Sequence, residues 1–436
     1  MNIKKLIKPF IKLIEKRNLL FFFYLIFLFI SIFMFSYLIS EENKHIIDDA
    51  GNLKIFNVNN MFGMYIKSIL VEGVAKINFV GLDFYFSMRP ILPYFLIFVF
   101  ENISTNFYII LLIKNLLISV LLFFIIQNYK ENYNNLFVAI CLTLIFYNPH
   151  NIHIMYDIGS EEGFLNYLII FLFFFIIGDY KYKSLLVGAT VSLIFFTKES
   201  MFILAFMVPL AYFYFEKKYN KYLPLIMVIV SNLAWGSYHY TKTNVFPIGP
   251  TGSAKNALNL ANVYQKDFNS TYPRVSPDIY YYKIIELVKE KKITDEKQLM
   301  DILINQSLTF LKENPYEVTK GIFKKIYVVT LSPFKDTRQR IEDYNPIRYS
   351  NFPNKIIFNL SLVFLFINIF NKQRLFSKKK IDFYYLIILM TYFIPYMIGF
   401  VYPRHCTAMY TLAHLYIFFN MVQINKFNIS NLIKKK

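Results

Sequence analysis

VGATVSLIFFTKESMFILAFMVPLAYF, residues 187–213, is two apolar runs joined by almost no loop, with Lys198 and Glu199 at the join. An ionised group at the centre of a membrane helix costs about 2.5–3.5 kcal/mol on insertion scales, so it normally faces a polar cavity or a partner. Mutual neutralisation within a tight hairpin explains only that the pair is tolerated. The stretch reads as two membrane helices meeting at an elbow, with Lys198 placed to meet an anionic headgroup.

The rest of the chain fits that reading. It has 436 residues, is 56% hydrophobic and contains 49 Phe, and its mean hydropathy is +0.40. A soluble protein of this size could not hide so much apolar surface, so the expected class is an all-α polytopic membrane protein. Roughly ten apolar windows are predicted as spans. They lie near 19–39, 106–127, 136–156, 163–178, 184–197, 200–215, 223–241, 356–370, 382–400 and 407–423. The first follows MNIKKLIKPFIKLIEKR. Its apolar run is longer than a signal-peptide core and no small-residue cleavage site follows, so it reads as a retained helix.

The net charge is +19, and the basic residues are clustered. The N-terminal run, Lys181 with Lys183, Lys217 with Lys218 and Lys221, Lys372 with Arg374 and Lys378 to Lys380, and Lys434 to Lys436 all fall on the one side that alternating spans assign to the cytoplasm. That is the positive-inside pattern, with both termini cytoplasmic and a bacterial-type inner (plasma) membrane as the location. Membrane lipids are the partner it implies, and nucleic acid is not. Two cysteines, Cys141 and Cys406, sit in or beside apolar runs and make neither a disulfide framework nor a metal spacing.

Three regions follow. Residues 1–241 form an N-terminal transmembrane module with a first outer loop at 40–105, residues 242–355 a small extracytoplasmic helical region, and residues 356–436 the C-terminal transmembrane helices. Within the first outer loop, NNMFGMYIKSILVEGVAKI (59–77) has the pattern of an amphipathic helix lying on the membrane. In the second region, Thr294 followed by Asp295, Glu296 and Lys297 reads as a helix start.

Ionisable residues collect on the side assigned to the exterior. Asp48 and Asp49 are adjacent carboxylates that suit a general base or a divalent cation, or form a solvated acidic turn. Arg89, followed by Pro90, has the planar fork that grips phosphate, or snorkels at the interface. Asp157, Glu161 and Glu162 are three acids in six residues at a helix start, more than capping needs, and are candidates for acceptor or metal contact alongside Glu199. Arg404 is a further phosphate fork, and His405 is either a proton carrier or a polar loop residue. His150 and His153 lack a zinc spacing. No P-loop, dinucleotide-binding or HExxH run occurs, so nucleotide hydrolysis, dinucleotide binding and zinc proteolysis have no support.

Five stretches together resemble the GT-C superfamily of membrane glycosyltransferases, near the bacterial protein mannosyltransferases and lipid A aminoarabinose transferases. They are RPILPYFLIFVFENISTNFYIILLIKNLL (89–117), YDIGSEEGFLNYLIIFLFF (156–174), the elbow at 187–213, LKENPYEVTKGIFKKIYVVTLSPF (311–334) and YPRHCTAMYTLAHLY (402–416). The resemblance implies a polyprenyl-phosphate sugar as donor, a lipid, lipid-linked glycan or protein as acceptor, and inverting transfer outside the cytoplasm. It puts the catalytic base at Asp48 or Asp49 and donor-phosphate contacts at Arg89, Lys198 and Arg404. Two departures stand out: Asn59 and Asn60 lie where the family carries an acid, and Arg404-His405 replaces its Arg-Tyr. Either Asp48/Asp49 takes that role from upstream, or the chain is a non-catalytic relative. The rival readings are a flippase or transporter of lipid-linked sugars and a glycan polymerase.

Overall fold

The computed structural model describes residues 76–79, 82–85, 161–178, 181–216, 219–243, 277–331, 346–370, 379–399 and 403–434, with a few isolated positions besides. Asp48, Asp49, Arg89 and Asp157 lie outside the described residues, as does nearly all of the windows at 19–39, 106–127 and 136–156. The described residues are almost wholly helical. In chain order they form β1 (Lys76–Phe79), β2 (Leu82–Tyr85), α1 (Glu161–Ile177), α2 (Lys183–Thr197), α3 (Phe202–Phe215), α4 (Leu223–Thr243) and α5 (Pro277–Lys291). These are followed by α6 (Glu296–Glu313), α7 (Pro315–Thr330), α8 (Pro346–Phe370), α9 (Lys379–Ile398) and α10 (Thr407–Lys434).

The hairpin is the one departure from an all-helical reading. β1 and β2 pair antiparallel, with Lys76 opposite Tyr85 and Phe79 opposite Leu82. Lys76 and Ile77, the last residues of the expected surface helix, are therefore strand. The reason is local: KINF and LDFY alternate apolar and polar side chains at period two, which suits a pleated ribbon rather than a helix face.

Seven of the expected apolar windows coincide with described helices. Two helical segments, Pro353–Phe370 and Lys380–Ile398, are long and apolar enough to cross a membrane, while Gly163–Ile177, Lys183–Thr197 and Glu199–Phe215 are apolar but shorter. The helices pack α4 on α2, α2 on α1, α1 on α10, α10 on α8, and α3 on α9. One apolar core joins them, including Leu165, Val191, Leu204, Ile388, Tyr392 and Leu412. Gly188 permits a close approach of α4 to α2. A Cβ there would sit 2.6 Å from Met227 Sδ and 3.0 Å from the Pro224 backbone, so a larger residue would push α4 away from α2.

Helix direction alternates, and side-chain bonds fix which ends meet. Lys183 at the start of α2 donates to Glu216 just beyond α3 at 3.1 Å, and Lys380 at the start of α9 donates to the same carboxylate. Near this end Asn368 of α8 bonds Asp382 of α9 and Asn420 of α10. The helix ends that the charge pattern assigns to the cytoplasmic side thus meet. Burial works against the charged form of Glu216, but the hydrogen bond from Lys380 and the charge of Lys183 outweigh it and hold the carboxyl below its usual range.

α5 and α6 have their own small core of Ile284, Leu287, Val288, Ile293, Leu299, Met300 and Leu303. The expected helix start is present: Asp295 is the N-cap of α6 and its side chain accepts from the Gln298 amide at 2.9 Å.

Candidate functional site

The site is built where α2, α7, α8, α9 and α10 end or pass, opposite the Glu216 clasp. α2 stops at Thr197 because Lys198 turns extended (φ −152°, ψ 130°), and a single helical turn, Glu199–Met201, leads into α3. This is the elbow expected from sequence, with no intervening loop. The elbow is fastened to the end of α9 by Ser200, whose hydroxyl donates to Tyr396 Oη at 3.2 Å. Tyr396 in turn stacks on His405, with ring centroids 4.5 Å apart and planes 26° apart. Tyr392 donates to the His405 carbonyl at 2.7 Å. His405 is thus packed and 5% exposed rather than a polar loop residue.

Arg404 and His405 lie in one short helical turn, Pro403–Cys406, that feeds directly into α10. Glu161 and Glu162 open α1, whose far end connects to α2 near the Glu216 clasp, so they start at the same end of the bundle as the elbow. The fold therefore puts Lys198, Glu199, the turn carrying Arg404 and His405, and the start of α1 at Glu161 and Glu162 at one end of the bundle.

Two lysines join them that the sequence reading passed over. Lys325 of α7 is 2% exposed, and its Nζ donates to Met397 O at 2.9 Å and also to Gly399 O. These are carbonyls of the last turn of α9 and just beyond it. A helix C-terminus is the negative end of the macrodipole, so an amine there closes the helix and is favoured by it. Burial pulls the Lys325 pKa down to about 7. Lys355 of α8 is 3% exposed and interacts electrostatically with Cys406. With Lys198 at 6%, three buried lysines gather at one end of the bundle.

Exposure along α7 sets Lys325 apart from the lysines beside it. On α7, Gly321, Lys325 and Val329 recur every four residues and face inward, while Tyr316, Phe323, Ile326 and Tyr327 are exposed. Beside apolar spans, a helix that turns aromatics outward and a lysine inward fits an interfacial position. Lys355 stands immediately before an apolar window, where a basic residue ordinarily reads as a flank.

The elbow carboxylate is set apart. Glu199 Oε2 is buried without a hydrogen-bond partner among the described residues. Among those residues no group of three or more His, Cys, Asp or Glu is arranged to hold a metal ion. Of the acids considered for a divalent cation, Asp48, Asp49 and Asp157 lie outside the described residues. Comparison of the chain with protein-family models, curated proteins and solved structures returns no match.

Proposed function

We propose that this chain is a multi-pass membrane glycosyltransferase of GT-C type, taking a sugar from a polyprenyl-phosphate donor and passing it to an extracytoplasmic lipid, glycan or protein. The observation that carries this reading is the gathering of buried Lys198, Lys325 and Lys355 with His405 at one bundle end, where the backbone of Arg404 also lies. Buried ammonium groups are costly, and concentrating them at the end of apolar helices is sensible where an anionic headgroup docks. The opposite end carries the basic stretches of the positive-inside pattern, which makes the lysine-rich end the exterior one.

In this reading Lys198 and Arg404 contact the donor phosphate, and Arg89 joins them from the first outer loop. Lys355 adds positive potential, and Lys325 holds the end of α9 in place. Their charge stabilises the lipid phosphate as it leaves, the electrostatic contribution that transfer needs most. Asp48 or Asp49 takes the proton of the attacking acceptor hydroxyl, and that hydroxyl attacks the sugar carbon from the face opposite the phosphate. Glu161, Glu162 and Asp157 are the candidates for contact with the acceptor.

The test is to incubate the purified protein with a panel of polyprenyl-phosphate sugars and follow release of free lipid phosphate. Turnover that disappears in both Asp48→Asn and Asp49→Asn, or in one of them, supports the assignment. Full activity in both removes the proposed base. Binding of the lipid-linked sugars without turnover turns the reading toward a flippase.

A further inference from the structure

At the end of the bundle opposite the candidate site, positive charge exceeds what the clasping carboxylate can offset. Lys183 and Lys380 both donate to the same oxygen, Glu216 Oε1, the first at 3.1 Å. Each lysine also opens a helix: Lys183 is the first residue of α2 and Lys380 the second of α9. The first turn of a helix is its positive pole, where a cation is disfavoured. α9 has an acid, Asp382, in that turn, but α2 has none. Tyr182, at the N-cap of α2, makes no side-chain bond to the first amides either. Two ammonium groups and an uncompensated helix start therefore share one carboxylate, which leaves a surplus of one positive charge.

The surroundings of that surplus have the composition of a headgroup layer. Lys181 is exposed, and its ammonium lies 5.2 Å from the exposed ring of Tyr182. Tyr214 and Phe215, at the end of α3, are exposed as well, and Phe215 packs on Phe383 of α9 at 4.0 Å. Aromatic rings and lysines together at the ends of apolar helices mark a membrane–water interface. Lys183 is 5% exposed and sits behind, whereas the Lys380 side chain is 35% exposed and within reach of a ligand.

A phosphate diester carries the single negative charge that balances the surplus. The exposed rings beside it favour one attached to a lipid, since a free phosphate gains nothing from them. We infer that the starts of α2 and α9 bind the headgroup phosphate of an anionic phospholipid, contacted by Lys380, with Lys183 supplying positive potential from behind. The inference needs only that these helices lie in a bilayer, and it is independent of the transfer reaction.

The test titrates the full-length protein in detergent with phosphatidylglycerol, phosphatidylcholine or inorganic phosphate. Melting is followed by the emission of Trp235, the only tryptophan of the chain, and bound lipid is counted by native mass spectrometry. Phosphatidylglycerol should raise the melting temperature saturably, and the other two should not at the same concentration. Lys380→Met leaves Lys183 and Glu216 as a matched pair and should weaken phosphatidylglycerol binding about fivefold. Lys380→Arg keeps the charge and should keep the binding. Lys372→Gln removes the same charge from the stretch before α9 and should leave the binding unchanged. Equal losses in Lys380→Met and Lys372→Gln mean diffuse surface charge and overturn the site. Equal stabilisation by inorganic phosphate overturns the lipid as its occupant, and failure of phosphatidylglycerol to bind overturns the inference outright.

Discussion

Lys325 gives a quantitative test of how α7 is fastened to the bundle. Its pKa falls from 10.5 to about 7 because burial disfavours the ammonium. Between those values the unfolded chain binds a proton that the folded chain does not, so folding stability must rise with pH across that window. The slope approaches about 1.4 kcal/mol per pH unit. Integrated, the gain is roughly 4–5 kcal/mol from pH 7 to above pH 10.5, and below pH 7 the penalty is constant. The neutral amine still has two N–H groups for the carbonyls of Met397 and Gly399, so deprotonation relieves the charge without undoing the helix end. Lys325→Met removes the titrating group and its hydrogen bonds. Apparent stability in detergent, read by Trp235 emission at pH 7 to 10, should therefore climb for the wild type relative to the variant. Parallel pH profiles for the two proteins would refute the burial of this amine.

Further outcomes follow from other residues. Glu216→Gln strips the partner from buried Lys183 and should cost about 3–5 kcal/mol, whereas Lys183→Met with Glu216→Leu should recover most of it, as a thermal melt of both would show. Little of the loss should trace to Lys380, whose side chain is 35% exposed and screened by solvent. Because the Glu216 pKa is depressed, its contribution should persist above about pH 4.5 and fade only as pH drops through the folded value. Gly188→Val should separate α4 from α2 and lower stability by about 1–3 kcal/mol through overpacking, detectable as a changed Trp235 emission maximum. Phe323→Asp on the exposed face of α7 should raise water accessibility of a spin label at position 327 in nanodiscs, whereas a helix clear of the membrane would show no change.

How far the sequence could be read differed from element to element. The elbow at Lys198 and the helix start at 294–297 were legible because each is decided by adjacent residues: a charge interrupting two apolar runs, and a Thr-Asp-Glu run ahead of a helical pattern. The helical windows from 163 onward were legible because twenty-residue hydropathy needs no knowledge of neighbours. The hairpin at 76–85 was not, since two four-residue strands carry too little period to outvote the amphipathic pattern before them. Lys325 and Lys355 escaped for a different reason. Lys320, Lys324 and Lys325 look alike along the chain, and only the packing of α7 against α9 decides which one turns inward. The base assigned to Asp48 or Asp49 remains a sequence-level proposal, since both lie outside the described residues.

The clasp of Lys183, Glu216 and Lys380 has a bearing on biogenesis. Lys380 is separated from Glu216 by 164 residues, so the α2–α3 hairpin leaves the ribosome long before its third member exists. At ordinary translation speeds that interval is on the order of ten to thirty seconds. For that time the nascent hairpin holds a carboxylate with only one of its two counter-charges, beside apolar faces that await α9. A chain cut short before α9 would keep Lys183 but not Lys380 beside Glu216 and leave those apolar faces uncovered.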